Sequence, residues 1–183
     1  EKFSAPASEP LLLTDEQFLT ETGAGPLVFL PLLEQRGIVE AIAACGFPAT
    51  SQISDVQSVL AFLALKLTGG KRWSHDSQWN MDRALGLFAG LNVLPKATTL
   101  STYSYRVTRQ ENRRLLERLS RIFRNALAED GEFNLDFKAI PHWGEDSVLE
   151  KNWSGSRSKA IKSLLALIVQ QPTTGQLAYT NAE

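Results

Sequence analysis

The stretch "EFNLDFKAI", residues 132–140, decides the fold class, because the hydrophobic period changes there from helical to extended. Apolar residues occupy every second position, at Phe133, Leu135, Phe137 and Ala139. This period of two predicts a β-strand. Asp136 lies in its middle, although Asp is disfavoured in strands. Two interpretations of Asp136 follow: a solvated face of an antiparallel sheet, or a carboxylate that binds a cation.

Helical signals fill the chain from Gly25 to Gly131, after a mostly irregular arm at residues 1–24. Ser54 with Gln57, and Thr108 with Glu111, have the spacing of capping boxes. The second box predicts the longest helix, which should end near Asp130-Gly131. A shorter helix, "TLSTYSYRV", is expected to begin at a Thr98 or Thr99 cap.

The segments "SLLALIVQQ" and "QLAYTNAE" flank a turn at residues 172–175 and predict a β-hairpin. Helices followed by strands indicate an α+β fold. We therefore predict a helical domain at residues 25–131. Residues 132–183 should form an incomplete antiparallel sheet of three strands. Three strands leave an unpaired edge, so this part is expected to associate.

Composition and charge narrow the class of partner. Cys45, the only cysteine, leaves no internal disulfide and is predicted to be a small buried apolar group. No run reaches the roughly 18 uncharged apolar residues that a membrane span requires, so we expect a cytoplasmic protein without a membrane partner. Residues 66–124 hold twelve basic and four acidic side chains, whereas both flanking segments are net acidic. This basic block favours a polyanionic partner.

The longest predicted helix carries the densest part of this block. At 100° per residue its apolar side chains share one side, and its other side carries Arg114, Arg118, Arg121 and Arg124. These arginines are interpreted either as a solvated helix face or as phosphate ligands. The candidate DNA-binding residues lie on this helix and in the segment just before it, which carries hydroxyl and basic groups. They are Lys96, Thr98, Thr99, Ser101, Arg106, Arg109, Arg113, Arg114, Arg118 and Arg121.

Three ordered strings carry a resemblance to a known family: "LGLFAGLNVLPKATTLSTYSYRV", "NLDFKAIPHWGEDSVLEKNW" and "GSRSKAIKSLLALIVQQPTTGQLAYTNA". Together they resemble the front portion of DDE transposases encoded by bacterial insertion sequences, over roughly residues 25–183. The resemblance implies a ribonuclease H-like catalytic domain whose first strand bears the first of three acids. By its place in the motif this acid is Asp136.

In that family the three acids bind two Mg²⁺ or Mn²⁺ ions, which activate the attacking oxygen and stabilise the leaving one. Asp136 is thus the candidate catalytic and metal-binding residue, and double-stranded transposon-end DNA is the implied partner. The sequence to Glu183 offers no obvious second Asp and Glu, since Asp146 and Glu150 are interpreted as solvated loop charges. We therefore expect metal binding only with a complete triad, and no cleavage by this chain alone.

Two other function classes remain open. One is a DNA-binding module without a catalytic role, and the other is a helical protein-interaction domain whose arginines meet an acidic partner. A homodimer is a further expectation.

Overall fold

The computed structural model describes residues 24–70, 73–124, 127, 129, 131–142, 149–155 and 158–182. Apart from Ala24, the arm predicted for residues 1–24 lies outside these ranges. The chain divides into two compact units, one up to Glu111 and one from Asn112. This division falls earlier than the boundary expected at residues 131–132.

The first unit is helical. Its α-helices are α1 Leu30–Gln35, α2 Ile38–Ala43, α3 Asp55–Leu67, α4 Arg83–Phe88 and α5 Ala97–Arg106, and 3₁₀-helices span Gly25–Phe29 and Trp73–Gln78. The predicted capping box of α3 is confirmed: Gln57 N–H donates to Ser54 Oγ at 3.2 Å, and Ser54 N–H donates to Gln57 Oε1 at 2.9 Å. Two otherwise orphaned amides are satisfied in this way, which fixes where α3 begins.

The core of the first unit centres on α3 and α4. Its most completely buried side chains include Leu60, Leu65, Leu85 and Phe88. The rings of Phe62 and Tyr103 lie 5.8 Å apart and join α3 to α5. Cys45 is fully buried and its thiol donates to Ala41 O at 3.0 Å, so the prediction of a small buried side chain is confirmed.

A close backbone approach shapes the turn after α4. Asp82 caps this helix by accepting from the N–H groups of Ala84 and Leu85, at 2.9 and 3.1 Å. Gly86 is buried within α4, and a Cβ there would lie 2.5–2.6 Å from the backbone of Asn92 and Val93. Only a residue without a side chain therefore lets residues 91–93 turn back against the helix.

The prediction that Thr98 or Thr99 caps α5 is wrong. The N-cap is Lys96, whose side chain makes no capping hydrogen bond, and both threonines lie within the first turn of the helix. The helix begins earlier than expected because Lys96, in an extended conformation after Pro95, leads directly into helical geometry at Ala97.

The sixth helix, α6, spans Arg109–Phe123. Its predicted capping box is confirmed, because Thr108 N–H donates to Glu111 Oε2 at 2.7 Å and Glu111 N–H donates to Thr108 Oγ1 at 3.4 Å. The helix ends before the predicted Asp130. None of its residues is buried, and its apolar side is half-buried.

A four-stranded antiparallel sheet follows in the second unit: β1 Asn134–Pro141, β2 Lys151–Ser154, β3 Lys159–Gln170 and β4 Leu177–Ala182. β3 is central. β1 pairs with it from Asn134↔Gln170 to Pro141↔Ser163. β4 pairs with residues 166–170 of β3, and these residues are already bound to β1 on one side. β4 therefore occupies the opposite edge of β3.

The α+β class, the first strand and the hairpin of β3 and β4 are thus confirmed. The hairpin turn contains Gly175 at φ 69°, a left-handed conformation that glycine adopts without steric cost. β2 was not predicted, because it lies inside residues 142–162, which are rich in charge, Gly and Ser. β2 pairs with residues 159–162 of β3. β3 therefore begins before the apolar segment "SLLALIVQQ" from which it was predicted.

Candidate nucleic-acid interface

The arginine side of α6 is exposed to solvent. Arg109, Arg113, Arg114, Arg118, Arg121 and Arg124 are all exposed. From Arg113 to Arg124 these residues lie within one broad arc of the helix, so their guanidinium groups share a surface. A face of this kind presents planar, permanently charged donors that match phosphate oxygens.

The acids of α6 already have specific hydrogen-bond partners. Glu117 Oε1 accepts from Arg113 Nε at 3.0 Å, with the two side chains 36% and 62% exposed, respectively. Glu111 accepts from the N–H of Thr108 at the start of the helix. An exposed ion pair of this kind is weak and opens at low energetic cost. The five arginines of α6 outnumber its two glutamates, so the helix is net positive, and Arg118 and Arg121 extend this charge toward its end.

The candidate residues on α5 belong to the first unit and form a separate group. Lys96, Thr98 and Thr99 are exposed, whereas Ser101 is half-buried. Arg106 is exposed, but its Nη2 donates to Ala49 O at 3.0 Å. Part of the Arg106 guanidinium therefore ties α5 to the loop before α3. Tyr105, which is not among the candidate residues named above, is 85% exposed on the same helix.

Asp136 lies in the interior of β1 and is exposed. It is opposite Ile168 of β3, which is opposite Thr180 of β4, so these three residues form one row across the sheet. This exposure agrees with the first interpretation of Asp136, a solvated face of an antiparallel sheet. β1 lies at the edge of the described sheet and is exposed along most of both faces.

The described residues do not fit a magnesium centre at Asp136. Across them, no three or more His, Cys, Asp or Glu side chains come together as a metal-binding group. Glu150 is exposed just before β2, and Asp146 lies outside the described ranges. Mg²⁺ is usually held by carboxylates together with phosphate oxygens and water, and a single exposed carboxylate is a weak ligand.

Asp76, in the 3₁₀-helix Trp73–Gln78, is a functional group that sequence reasoning missed. Asp76 is 0% exposed, and neither of its carboxylate oxygens has a hydrogen-bond partner within the described structure. Desolvation by burial raises the pKa of Asp76 from 3.8 to about 6. Nothing in "KRWSHDSQWN" signals this burial, because the segment is polar throughout between its two tryptophans.

Comparison with protein-family models, with curated proteins and with solved structures finds no match for this chain. Among the helices that the structure describes, none combines the length and the apolar character needed to cross a bilayer. The features of the chain that bear on function are therefore the arginine face of α6 and the position of Asp136.

Proposed function

We propose that this chain binds double-stranded DNA through the arginine face of α6. The single observation that carries the proposal is a solvent-exposed row of arginines on a helix whose two acids are each held by a hydrogen-bond partner. Guanidinium groups at successive turns lie at spacings that can follow a phosphate backbone. Lys96, Thr98 and Thr99 of α5 are a separate set of exposed donors, in the first unit, of the type that contacts phosphates.

Binding of this kind should depend steeply on salt. Each phosphate that is neutralised makes the slope of log K against log salt concentration more negative by about 0.9. If four arginines bind phosphates, we expect a slope of roughly −3 to −4, measured by fluorescence anisotropy with a labelled duplex. Duplexes of unrelated sequence should bind with similar salt slopes, because phosphate contacts carry no base information. A duplex affinity that does not change with salt would remove the proposal.

A protein-interaction module is the second candidate, because α6 has no buried residue and its apolar side is only half-buried. An acidic polypeptide should then bind more tightly than a DNA duplex of equal charge. Competition between the two ligands in one titration distinguishes the candidates. DNA binding predicts that the duplex displaces the polypeptide, and an interaction module predicts the reverse.

We further propose that the chain is the front portion of a DDE transposase, with Asp136 as the first of its metal-binding acids. Two features support this assignment. The antiparallel arrangement of β1, β3 and β4 is consistent with the opening of a ribonuclease H-like sheet, and Asp136 lies on its first strand. No reaction step is assigned to this chain, because the described residues bring no second acid to Asp136.

The catalytic assignment has its own test. In a chain that also carries the second Asp and the Glu of the family, Asp136→Asn should abolish Mg²⁺-dependent strand cleavage, by a factor on the order of 10³ or more, because metal binding loses a charged ligand. Duplex binding should be retained, since the α6 arginines are unchanged. Normal cleavage by the variant would mean that Asp136 is not a metal ligand.

A further inference from the structure

Glu117 lies in the middle of the arginine face of α6. Arg113, Glu117 and Arg121 are spaced four residues apart, so successive positions lie about 6 Å apart along the helix and about 40° apart around it. Arg114 precedes Glu117 by three residues, which is also a contact spacing on a helix. Glu117 therefore has an arginine one turn away in each direction along the helix.

The Glu117 carboxylate already binds one of these arginines. Its Oε1 accepts from Arg113 Nε at 3.0 Å, and the pair lies at the surface, with Arg113 exposed and Glu117 half-buried. A DNA phosphate offers the same kind of anionic oxygen to the N–H donors of a guanidinium group. The Glu117 oxygen thus occupies the place beside Arg113 Nε that a phosphate oxygen would take.

The other glutamate of α6, Glu111, has a different role. Its Oε2 accepts from Thr108 N–H at 2.7 Å, and Thr108 Oγ1 accepts from Glu111 N–H in return. The positive end of the helix dipole also favours a carboxylate at this position. Glu111 is therefore bonded to backbone at the start of the helix, whereas Glu117 is bonded to a guanidinium group that could bind DNA.

We propose, on the basis of the DNA binding proposed above, that Glu117 competes with DNA phosphates for Arg113 and so limits the affinity of α6 for duplex DNA. A phosphate reaches Arg113 Nε only when the ion pair opens, and the released carboxylate then repels phosphates held by Arg113 and Arg121. Both costs are nearly the same for every duplex, because phosphate contacts carry no base information. An exposed ion pair is weak, so the effect is a moderate reduction of affinity.

Glu117→Gln tests this competition. Gln has nearly the same size and helix propensity, and it removes the charge that competes with phosphate. At about 0.1 M salt the variant should bind a duplex roughly fivefold more tightly than the parent. The slope of log K against log salt concentration should become more negative by up to about 0.9, because Arg113 then neutralises a phosphate. Fluorescence anisotropy measures both quantities, and circular dichroism confirms that the variant is folded.

Two matched variants separate competition for Arg113 from the simple loss of a negative charge. Glu111→Gln removes the same charge from the same helix, and Gln can keep the capping box, so the Kd should change by less than about twofold. In an Arg113→Gln background there is no Arg113 guanidinium to compete for. Glu117→Gln should then tighten binding by only about twofold, less than in the parent.

The outcomes distinguish this proposal from DNA binding itself. Steep salt dependence in the parent, together with an E117Q variant that binds no more tightly, overturns the competition and leaves DNA binding by α6 in place. Equal gains for E117Q and E111Q, or equal gains for E117Q with and without Arg113, also overturn it, because loss of charge alone then explains the result. A parent chain that does not bind duplex DNA overturns both proposals.

Discussion

Asp76→Asn is expected to raise the free energy of unfolding of the first unit at pH 7 by about 2 to 3 kcal/mol, because it removes a buried charge that has no hydrogen-bond partner among the described residues. The native carboxylate is fully buried, and desolvation raises its pKa from 3.8 to about 6. An amide of nearly equal size stays neutral at every pH. The loss of the charge is therefore the main change.

The same variant should alter how stability depends on pH. The folded chain holds the Asp76 proton more tightly than the unfolded chain does, so the group contributes its full stability below about pH 4. This contribution is lost as pH rises through about 6. Between these values the parent should lose about 2 to 3 kcal/mol that the variant does not lose. Urea denaturation followed by the helical circular dichroism signal measures both chains.

An exposed carboxylate gives the matched control. Glu34→Gln on α1 removes one negative charge from the same unit at an exposed position, and should change stability by less than about 0.5 kcal/mol. If Asp76→Asn is neutral or destabilising at pH 7, the carboxylate has a compensating partner in solution. Burial would then impose no net cost on the Asp76 charge.

Gly86→Ala is expected to destabilise the first unit by about 3 kcal/mol, even though Ala favours helices over Gly by up to ~1 kcal/mol. The added Cβ would lie 2.5 Å from Val93 Cα and 2.6 Å from the carbonyl of Asn92. These are backbone atoms, and Leu91 N–H also donates to Gly86 O at 2.8 Å. The turn after α4 therefore has to move away from the helix that it bonds to.

Gly25→Ala is the control for this substitution. A Cβ at Gly25 meets nothing within 4 Å, so the change should be close to neutral. The midpoints of urea denaturation give the change in the free energy of unfolding for both variants, provided that the dependence of that free energy on urea concentration stays the same. A Gly86→Ala chain as stable as the parent would show that residues 91–93 move at little cost.

Local sequence rules were sufficient where the determining contacts are themselves local. The Ser54–Gln57 and Thr108–Glu111 boxes each lie within four consecutive residues, so the starts of α3 and α6 were predicted from the chain alone. The alternation in residues 133–139 likewise predicted β1. The turn that ends in Gly175 predicted the hairpin of β3 and β4.

Features that depend on tertiary contacts were not predictable in this way. The full burial of Asp76 results from packing that its polar neighbours in the sequence do not suggest. The exposure of Asp136 depends on which strands flank β1, and one strand's own alternation carries no such information. The hydrogen bond from Arg106 to Ala49 joins residues far apart in the chain. That bond uses part of a side chain that the sequence assigned to DNA.

The exposed face of α6 was predicted from helical periodicity, and its length was overestimated. Arg114, Arg118 and Arg121 lie on the described helix, which ends at Phe123. Two exposed arginines of the first unit, Arg36 and Arg83, supply a control in which positive charge is removed outside α6. The central claim is that the α6 arginines, and not the total positive charge, bind the phosphates.

The most direct test is the salt slope of duplex binding by the variant R114Q/R118Q/R121Q. If each arginine neutralises one phosphate, the slope of log K against log salt concentration should become shallower by about 2.7. The control R36Q/R83Q should keep the parent slope within about 0.5. Equal slopes for the parent and the α6 variant would contradict the account, because the arginine face would then bind no phosphates.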